Sequence, residues 1–273
     1  MKTRTRWLAG LVAFFLLTAF GIRMFQPQLG EKAYRSAVDK RAGLDRTEGL
    51  QDGLYIALCG TGSPLPNPNR AGPCSIVVAG KHMFLVDAGE GSARNIALMG
   101  LPLGRLEAAF ITHFHSDHID GLGPIMLMRW TGAAATSPLP VYGPTGIERV
   151  IAGFDEAYAI DNGYRTAHHG TAIAPPGGAG ATAMPFALPD AGKGDSVIVY
   201  EGDGLRVTAI RVDHGPVKPA VGYRFDYRGR SIVVGGDGRV VGAQASVDAD
   251  VVLQSAQYGA SLMAAQAEHN NAG

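Results

Sequence analysis

The sequence has no excess of charge of either sign. Its 273 residues carry 24 Lys and Arg against 24 Asp and Glu. Lys2, Arg4, Arg6 and Arg23 lie in the first 23 residues, which hold no acid, so the rest of the chain sets 20 basic side chains against 24 acidic ones, a net of −4. Nucleic-acid binders usually show a basic excess or a basic patch; on charge alone a nucleic-acid partner is therefore unexpected. Cysteine is scarce too, at two residues, Cys59 and Cys74. Export would permit a bridge between them, but their apolar and turn-rich surroundings suit free buried thiols, which is the expectation. No internal repeat and no Pro-rich linker divides the chain. The 38 glycines and 16 prolines follow no collagen-like period and read as turns of a loop-rich body. "GTGSP" at Gly60 lacks the Lys-Ser/Thr of a phosphate loop and has no GxGxxG ahead of a helix, so it reads as a turn.

The apolar run near the start is also short. "MKTRTR" carries three positive charges, and "WLAGLVAFFLLTAF" (7–20) carries none. A full membrane span needs about 20 apolar residues. This run has 14, or 16 with Gly21 and Ile22. A basic start before a short apolar core fits a signal peptide, or an uncleaved anchor, since the bulky "GIRMF" offers no small-x-small cleavage site. The expectation is a leader over residues 1–23, a hydrolase domain over 24–273, and a periplasmic or other extracytoplasmic place. If the leader is uncleaved, residues 7–22 would hold the protein to the inner membrane.

What is present is a succession of strand-like and helix-like segments. "LYIALCG", "SIVVAG", "KHMFLVDAG" and "LEAAFITHFH" read as strands, as do several apolar runs between residues 195 and 253. "SARNIALMGL", "GLGPIMLMRW" and "GIERVIAGFDEAYAI" have helical spacing. Residues 161–192 read as a loop or insertion, and 256–269 as helical. The order predicts an α/β sandwich with helices outside two sheets.

The chemistry is concentrated in "THFHSDHIDG" (112–121). His113 and His115 end a strand on the same side and can share one metal. Asp117 and His118, a turn further on, can face a second. Zinc takes imidazole nitrogen and carboxylate oxygen, usually four ligands in all, so two metals use this set better than one. His214 and Asp237 follow strands of their own, and Asp237 has two oxygens with which to bridge. Asp87, after "HMFLV", is placed to fix a ligand ring. His168 and His169 are candidates for a pocket wall, and His82, beside Lys81 in a turn, reads as surface.

"THFHSDHIDG" resembles the HxHxDH signature of the metallo-β-lactamase superfamily. "LCGTGSPLPNPNRAGPCS", "FLVDAGEGSARN" and "VDHGPVKPAVGYRFDYRGRSIVVGGDG" resemble its ribonuclease Z-like branch, which includes exported arylsulfatase-like hydrolases. The resemblance implies a four-layer αββα sandwich and two zinc ions, with manganese or iron as substitutes. It implies that His113, His115 and His214 hold the first metal, that Asp117 and His118 hold the second, and that Asp237 bridges them. The chain departs from the branch at "GGDGRV", and at "LQSAQY", where Gln254 and Ser255 stand in place of His-Glu. A further histidine for the second metal is not evident: His269, in "QAEHNNAG", has the setting of a helix end. The final strand and helix are thus expected to be missing.

The expected function is an exported hydrolase of small anionic esters, aryl sulfates or phosphodiesters, using a metal-activated hydroxide, with Asp117 and His118 as catalytic groups. The rivals are tRNA 3′ processing, lactone or β-lactam hydrolysis, and a truncated scaffold without turnover.

Overall fold

The computed structural model describes residues 2–39, 43–65, 67–190, 194–240 and 249–253. Contacts divide the chain into two units, Met1–Leu44 and Asp45–Gly273. The first is a single helix, α1 (Lys2–Asp39). Among the described residues no helix is long and apolar enough to cross a membrane. This corrects the expectations of a signal or membrane anchor through residues 7–22 and of a periplasmic or inner-membrane place. The apolar run does not give way to an extended, cleavable stretch. It is one part of a helix that continues through the polar segment 26–39.

The second unit holds two sheets. In the first, β1 (Leu54–Gly60), β2 (Cys74–Ala79), β3 (His82–Val86), β4 (Leu106–Phe110), β5 (Leu139–Pro144) and β6 (Ala181–Phe186) lie in sequence order. β1 to β3 pair antiparallel, and β3 to β6 pair parallel. Parallel neighbours need crossovers. These are α2 (Ser92–Leu98), then α3 (Ser116–Ile119) with α4 (Leu122–Ala133), then α5 (Ile147–His169). The second sheet contains β7 (Ser196–Gly202), β8 (Leu205–Asp213), β9 (Val221–Tyr227), β10 (Arg230–Val234), β11 (Arg239–Val240) and β12 (Val251–Leu253). β8, β9 and β10 pair in order, β12 adds to β10, and β7 and β11 both pair with β8.

The first sheet is buried on both faces, which explains the unbroken apolar runs of β2 and β3. With period two, Ile76, Val78, Met83 and Leu85 pack with Ile96, Leu122, Ile125 and Ile151 of the helices. Val77, Phe84, Val86 and Phe110 pack instead with Val207, Tyr223, Phe225 and Val234 of the second sheet. The fold is thus the expected α/β sandwich of two sheets flanked by helices. The final strand and helix, the helical reading of 256–269, Gln254, Ser255 and His269 all fall outside the described residues.

Three local features differ from the sequence reading or complete it. Residues 161–192 are not a loop throughout: α5 runs to His169, and Ala181–Phe186 is β6. The helix was hard to recognise because only its first turns are buried, at Ile147 and Ile151; the remainder has no apolar stripe. His82 is buried, not superficial. Its Nδ1 lies 2.9 Å from Glu107 on β4 and its Nε2 lies 3.3 Å from Asp203 in the β7–β8 turn, so a polar ring inside is satisfied. Cys59 and Cys74 form a disulfide, with Cα atoms 5.1 Å apart. It closes a loop spanning 15 positions, a length for which the chain-entropy account gives about 3 kcal/mol.

Asp45 anchors the entry to the second unit. Its carboxylate accepts from the Thr47 backbone N–H and hydroxyl and from Arg105. Burial would raise its pKa, but these donors outweigh burial and hold it below its usual 3.8. A depressed carboxyl pKa stabilises the fold above the unfolded value, and that contribution fades as pH falls through the folded one. Asp45→Asn is expected to cost about 1 kcal/mol at neutral pH, since Arg105 is partly solvated. Denaturant titrations of both proteins should converge as pH drops below about 4. A gap that persists at pH 2 would contradict this origin.

Candidate metal centre

The ligand-type side chains come from strand ends along one edge of the sandwich. β4 stops at Phe110, and the chain is pinned beyond it: Ile111 N–H donates to Tyr142 O at 2.8 Å, and the buried Tyr223 hydroxyl donates to Ile111 O at 2.7 Å. Thr112 and His113 follow, both buried. The single turn α3 then presents Asp117 and His118. β8 delivers His214, and β10 delivers Asp237.

Asp87 organises these segments. It follows β3 at φ 58°, a left-handed conformation that costs a non-glycine residue energy and is kept where the surroundings fix it. Its carboxylate accepts from Thr112 N at 2.9 Å, from Thr112 Oγ1 at 2.9 Å, and from His118 Nδ1 at 2.8 Å. With Nδ1–H donating to a carboxylate, His118 keeps its Nε2 lone pair for the cluster. Packing behind the turn is equally tight. A Cβ on Gly121 would lie 2.3 Å from Gly89 O, and one on Gly89 would lie 2.4 Å from Asp117 O. Only glycine lets the "DAGEG" and "HSDHIDG" segments approach so closely.

Two three-donor groups result: His113, His115 and His214, and His113, His118 and Asp237. His113 Nε2 lies 2.9 Å from His115 Nδ1, and the rings of His113 and His214 are 4.7 Å apart. His118 Nε2 lies 3.3 Å from Asp237 Oδ2 and 3.8 Å from Asp117 Oδ2. Asp117 Oδ2, His118 Nε2 and both ring nitrogens of His214 are buried with no hydrogen-bond partner. Buried polar atoms are seldom left so, and imidazole with carboxylate is a zinc-type donor set. The two groups are therefore capable of holding two metal ions, as expected for a zinc site.

The electrostatics favour a cation. Burial, then the neighbouring His118 and His214, push His113 down to about 3, so it stays neutral with a lone pair to offer. For His118, burial pulls downward, but the Asp87 and Asp237 carboxylates prevail and lift it to about 10. A field that holds a proton there also attracts a metal ion. Burial lowers His214. Burial opposes ionisation of Asp237, yet the facing histidines keep it below the usual carboxylate range.

A cavity of about 590 Å³ opens beside the cluster, lined by Asp87, His118 and Asp237 together with Thr61, Asn67 and Arg70. His168 and His169 are not in its wall. They are exposed at the end of α5, with rings 4.8 Å apart, and join neither group. The sequence reading also overlooked Thr112, whose hydroxyl stands between Asp87 and His113 Nδ1, and Arg70. A buried Thr directly before the first His was the available signal for the former; the latter lay in a loop read only as a turn.

The pattern of the metallo-beta-lactamase superfamily matches residues 68–269, and the chain belongs to that superfamily. Within it, the chain is similar to proteins named Ribonuclease Z. It is 39% identical over 186 residues to a protein named Ribonuclease Z from Mycobacterium avium, covering 67% of this chain and 62% of that one. Its likeness to one named Ribonuclease Z from Mycobacterium marinum is also 39%, over 67% and 63%. The chain thus spans less than two thirds of these relatives' length. The short form of human tRNase Z shares the fold, with a TM-score of 0.56 at 22% identity over 72% of this chain and 75% of that one. These relatives overturn the expectation that nucleic acid is an unsuitable partner. Fold and donor groups together are those of a metal-dependent hydrolase.

His113 and His214 belong to the same donor group. His113→Ala and His214→Ala should therefore each reduce bound zinc from about two ions per chain to about one. Elemental analysis after zinc reconstitution checks this. A variant that still binds two ions would remove that histidine from the donor set.

Proposed function

We propose that the chain is a zinc-dependent RNA phosphodiesterase of the ribonuclease Z kind, cutting the 3′ side of a tRNA precursor. The observation that supports it most is the 39% identity over 186 residues to proteins of that name. His113, His115 and His214 would hold one ion, Asp117 and His118 the other, with Asp237 shared. These residues all fall within the proposed hydrolase domain, 24–273. Metal ions bound there would supply Lewis acidity towards a phosphoryl oxygen and lower the pKa of water to near neutrality.

The chain's own residues have separate tasks. Asp87 keeps the His118 ring from rotating through the 2.8 Å bond to Nδ1. Asp117 Oδ2 is buried without a partner; a carboxylate that holds an ion through one oxygen keeps the other to orient the attacking water and accept its proton. Arg70 lines the adjoining cavity, and its guanidinium suits a non-bridging phosphate oxygen. Leu58, Leu65 and Leu253 line the same cavity and limit water beside the scissile bond.

The test is the full chain, reconstituted with zinc, on a tRNA precursor with a 3′ extension. Release of the extension is expected, with loss on chelation and recovery on zinc addition. Asp117→Asn should lower kcat by roughly 10²- to 10⁴-fold. A protein carrying about two zinc ions that leaves the precursor intact would overturn the reading. Arg70→Ala should act differently from Asp117→Asn, raising KM about tenfold through loss of a charge-assisted contact. An unchanged KM would remove Arg70 from the substrate site.

A further inference from the structure

A second cavity borders the segments that carry His113 and His214, and the proposed reaction leaves it unused. Its volume is about 680 Å³, within the range of small-ligand sites. Pro144, Phe186, Leu188, Val212, Pro219 and Val221 give it apolar walls, and Arg211, Lys218, Arg239 and Asp213 add charge. Three cations against one carboxylate leave the lining at +2. Arg211 is held by Asp195 and Pro189 O, and Arg239 reaches Asp213 at 3.5 Å. Lys218 is exposed and has no ion pair among the described residues.

The segments that line this cavity are joined through the backbone to those that carry the donors. Val221 N–H donates to Thr112 O at 3.0 Å, one residue from His113. Asp213 immediately precedes His214, and the turn closed by Val217 N–H to His214 O at 3.2 Å leads directly to Lys218. Gly146, next to Thr145 of the cavity wall, lies against Phe114, between His113 and His115: a Cβ there would be 3.1 Å from the Phe114 ring. The first cavity is bounded by Asp87, His118 and Asp237, whereas the second borders the segments that carry His113 and His214.

An internal phosphodiester has a nucleoside on each side of the reacting phosphorus. We propose that the second cavity is a nucleoside subsite, in which a base of the RNA strand lies on the apolar wall formed by Phe186 and Leu188. The phosphate next along the strand is then met by Lys218 and Arg239. The subsite rests on the reading of the chain as an RNA phosphodiesterase. It takes single-stranded RNA because an apolar wall accepts any unpaired base and rim cations follow the backbone. The strand crosses the centre from the Arg70 cavity to the Lys218 cavity, so the two basic rims face successive phosphates.

The experiment measures KM for the 3′-extended precursor, and its dependence on salt, with the zinc-loaded full chain. Lys218→Glu and Arg239→Ala should each raise KM, the former about tenfold at low salt. Each should also reduce the slope of log affinity against log salt by about 0.7 per lost phosphate contact. Lys218→Arg should restore both. Lys81→Glu, an equal change of charge in the β2–β3 turn, is the control and should move neither. Zinc content of the Lys218 variants should match the parent, showing that the fold is retained. If the parent cleaves the precursor while KM and salt slope stay fixed in both variants, the subsite is wrong and the RNA reading stands. If Lys218→Glu sheds zinc and Arg239→Ala leaves KM unchanged, the subsite is equally overturned. A zinc-loaded parent that neither binds nor cleaves the RNA removes the reading, and the subsite with it.

Discussion

The buried carboxylate of Asp87 is the contact on which the site depends. It is 3% exposed, and burying a charge without partners is costly. Three donors offset that cost: the Thr112 amide, the Thr112 hydroxyl and the His118 ring. They come from the end of β4 and from α3, while Asp87 itself ends β3. One carboxylate therefore sets the spacing of three segments that local propensity alone would leave loose. Removing it would strand two buried donors and free the ring of His118. Each unmade buried bond costs about 1–3 kcal/mol, a large share of the usual margin of stability.

That contact is rigid because of the sheets beneath it. β3 and β4 are adjacent parallel strands whose two faces are both buried, one against helices and one against the second sheet. A one-residue slip in register would turn every side chain to the wrong face, so the strand ends are fixed to within a fraction of a residue. The second sheet is held to the same frame by Tyr223, whose ring packs against Phe110 and whose hydroxyl reaches Ile111 O. This brings the ends of β8 and β10, and with them His214 and Asp237, to the place where β4 ends. The inter-sheet core is thus also the device that assembles the two donor groups.

What could be seen in the sequence follows from the range of the interactions involved. "THFHSDH" is a local pattern, and each of His214, Asp237 and Asp87 ends an apolar run, so both the donor set and its strand-end placement were visible. Strands buried on both faces also announce themselves by composition. The far half of α5 did not, because its exposed residues carry no apolar period and Asn162-Gly163 looks like a turn. His82 was misjudged for a related reason: its partner Glu107 is 25 positions away in sequence and meets it only across the β3–β4 pairing. The apolar run 7–20 was read in isolation, without the polar residues that extend the same helix to Asp39.

The argument from net charge failed for a physical reason. A polyanion does not respond to the sum of charges over a chain. It responds to the potential where it lies, and at physiological salt that potential is set by charges within about 8 Å. Acidic residues elsewhere are screened or paired, as Asp45 is by Arg105, Asp52 by Arg228 and Asp250 by Arg230. Arg70 and Lys218, by contrast, stand at the rims of the two cavities beside the metal ligands. Two ions of charge +2 in the centre would add as much positive charge as the chain's whole deficit beyond residue 23, a net of −4, removes. On the proposed reading, a mildly acidic body can still draw a phosphodiester strand to its site, because the strand responds to Arg70, Lys218 and the bound ions and not to the sum over the chain.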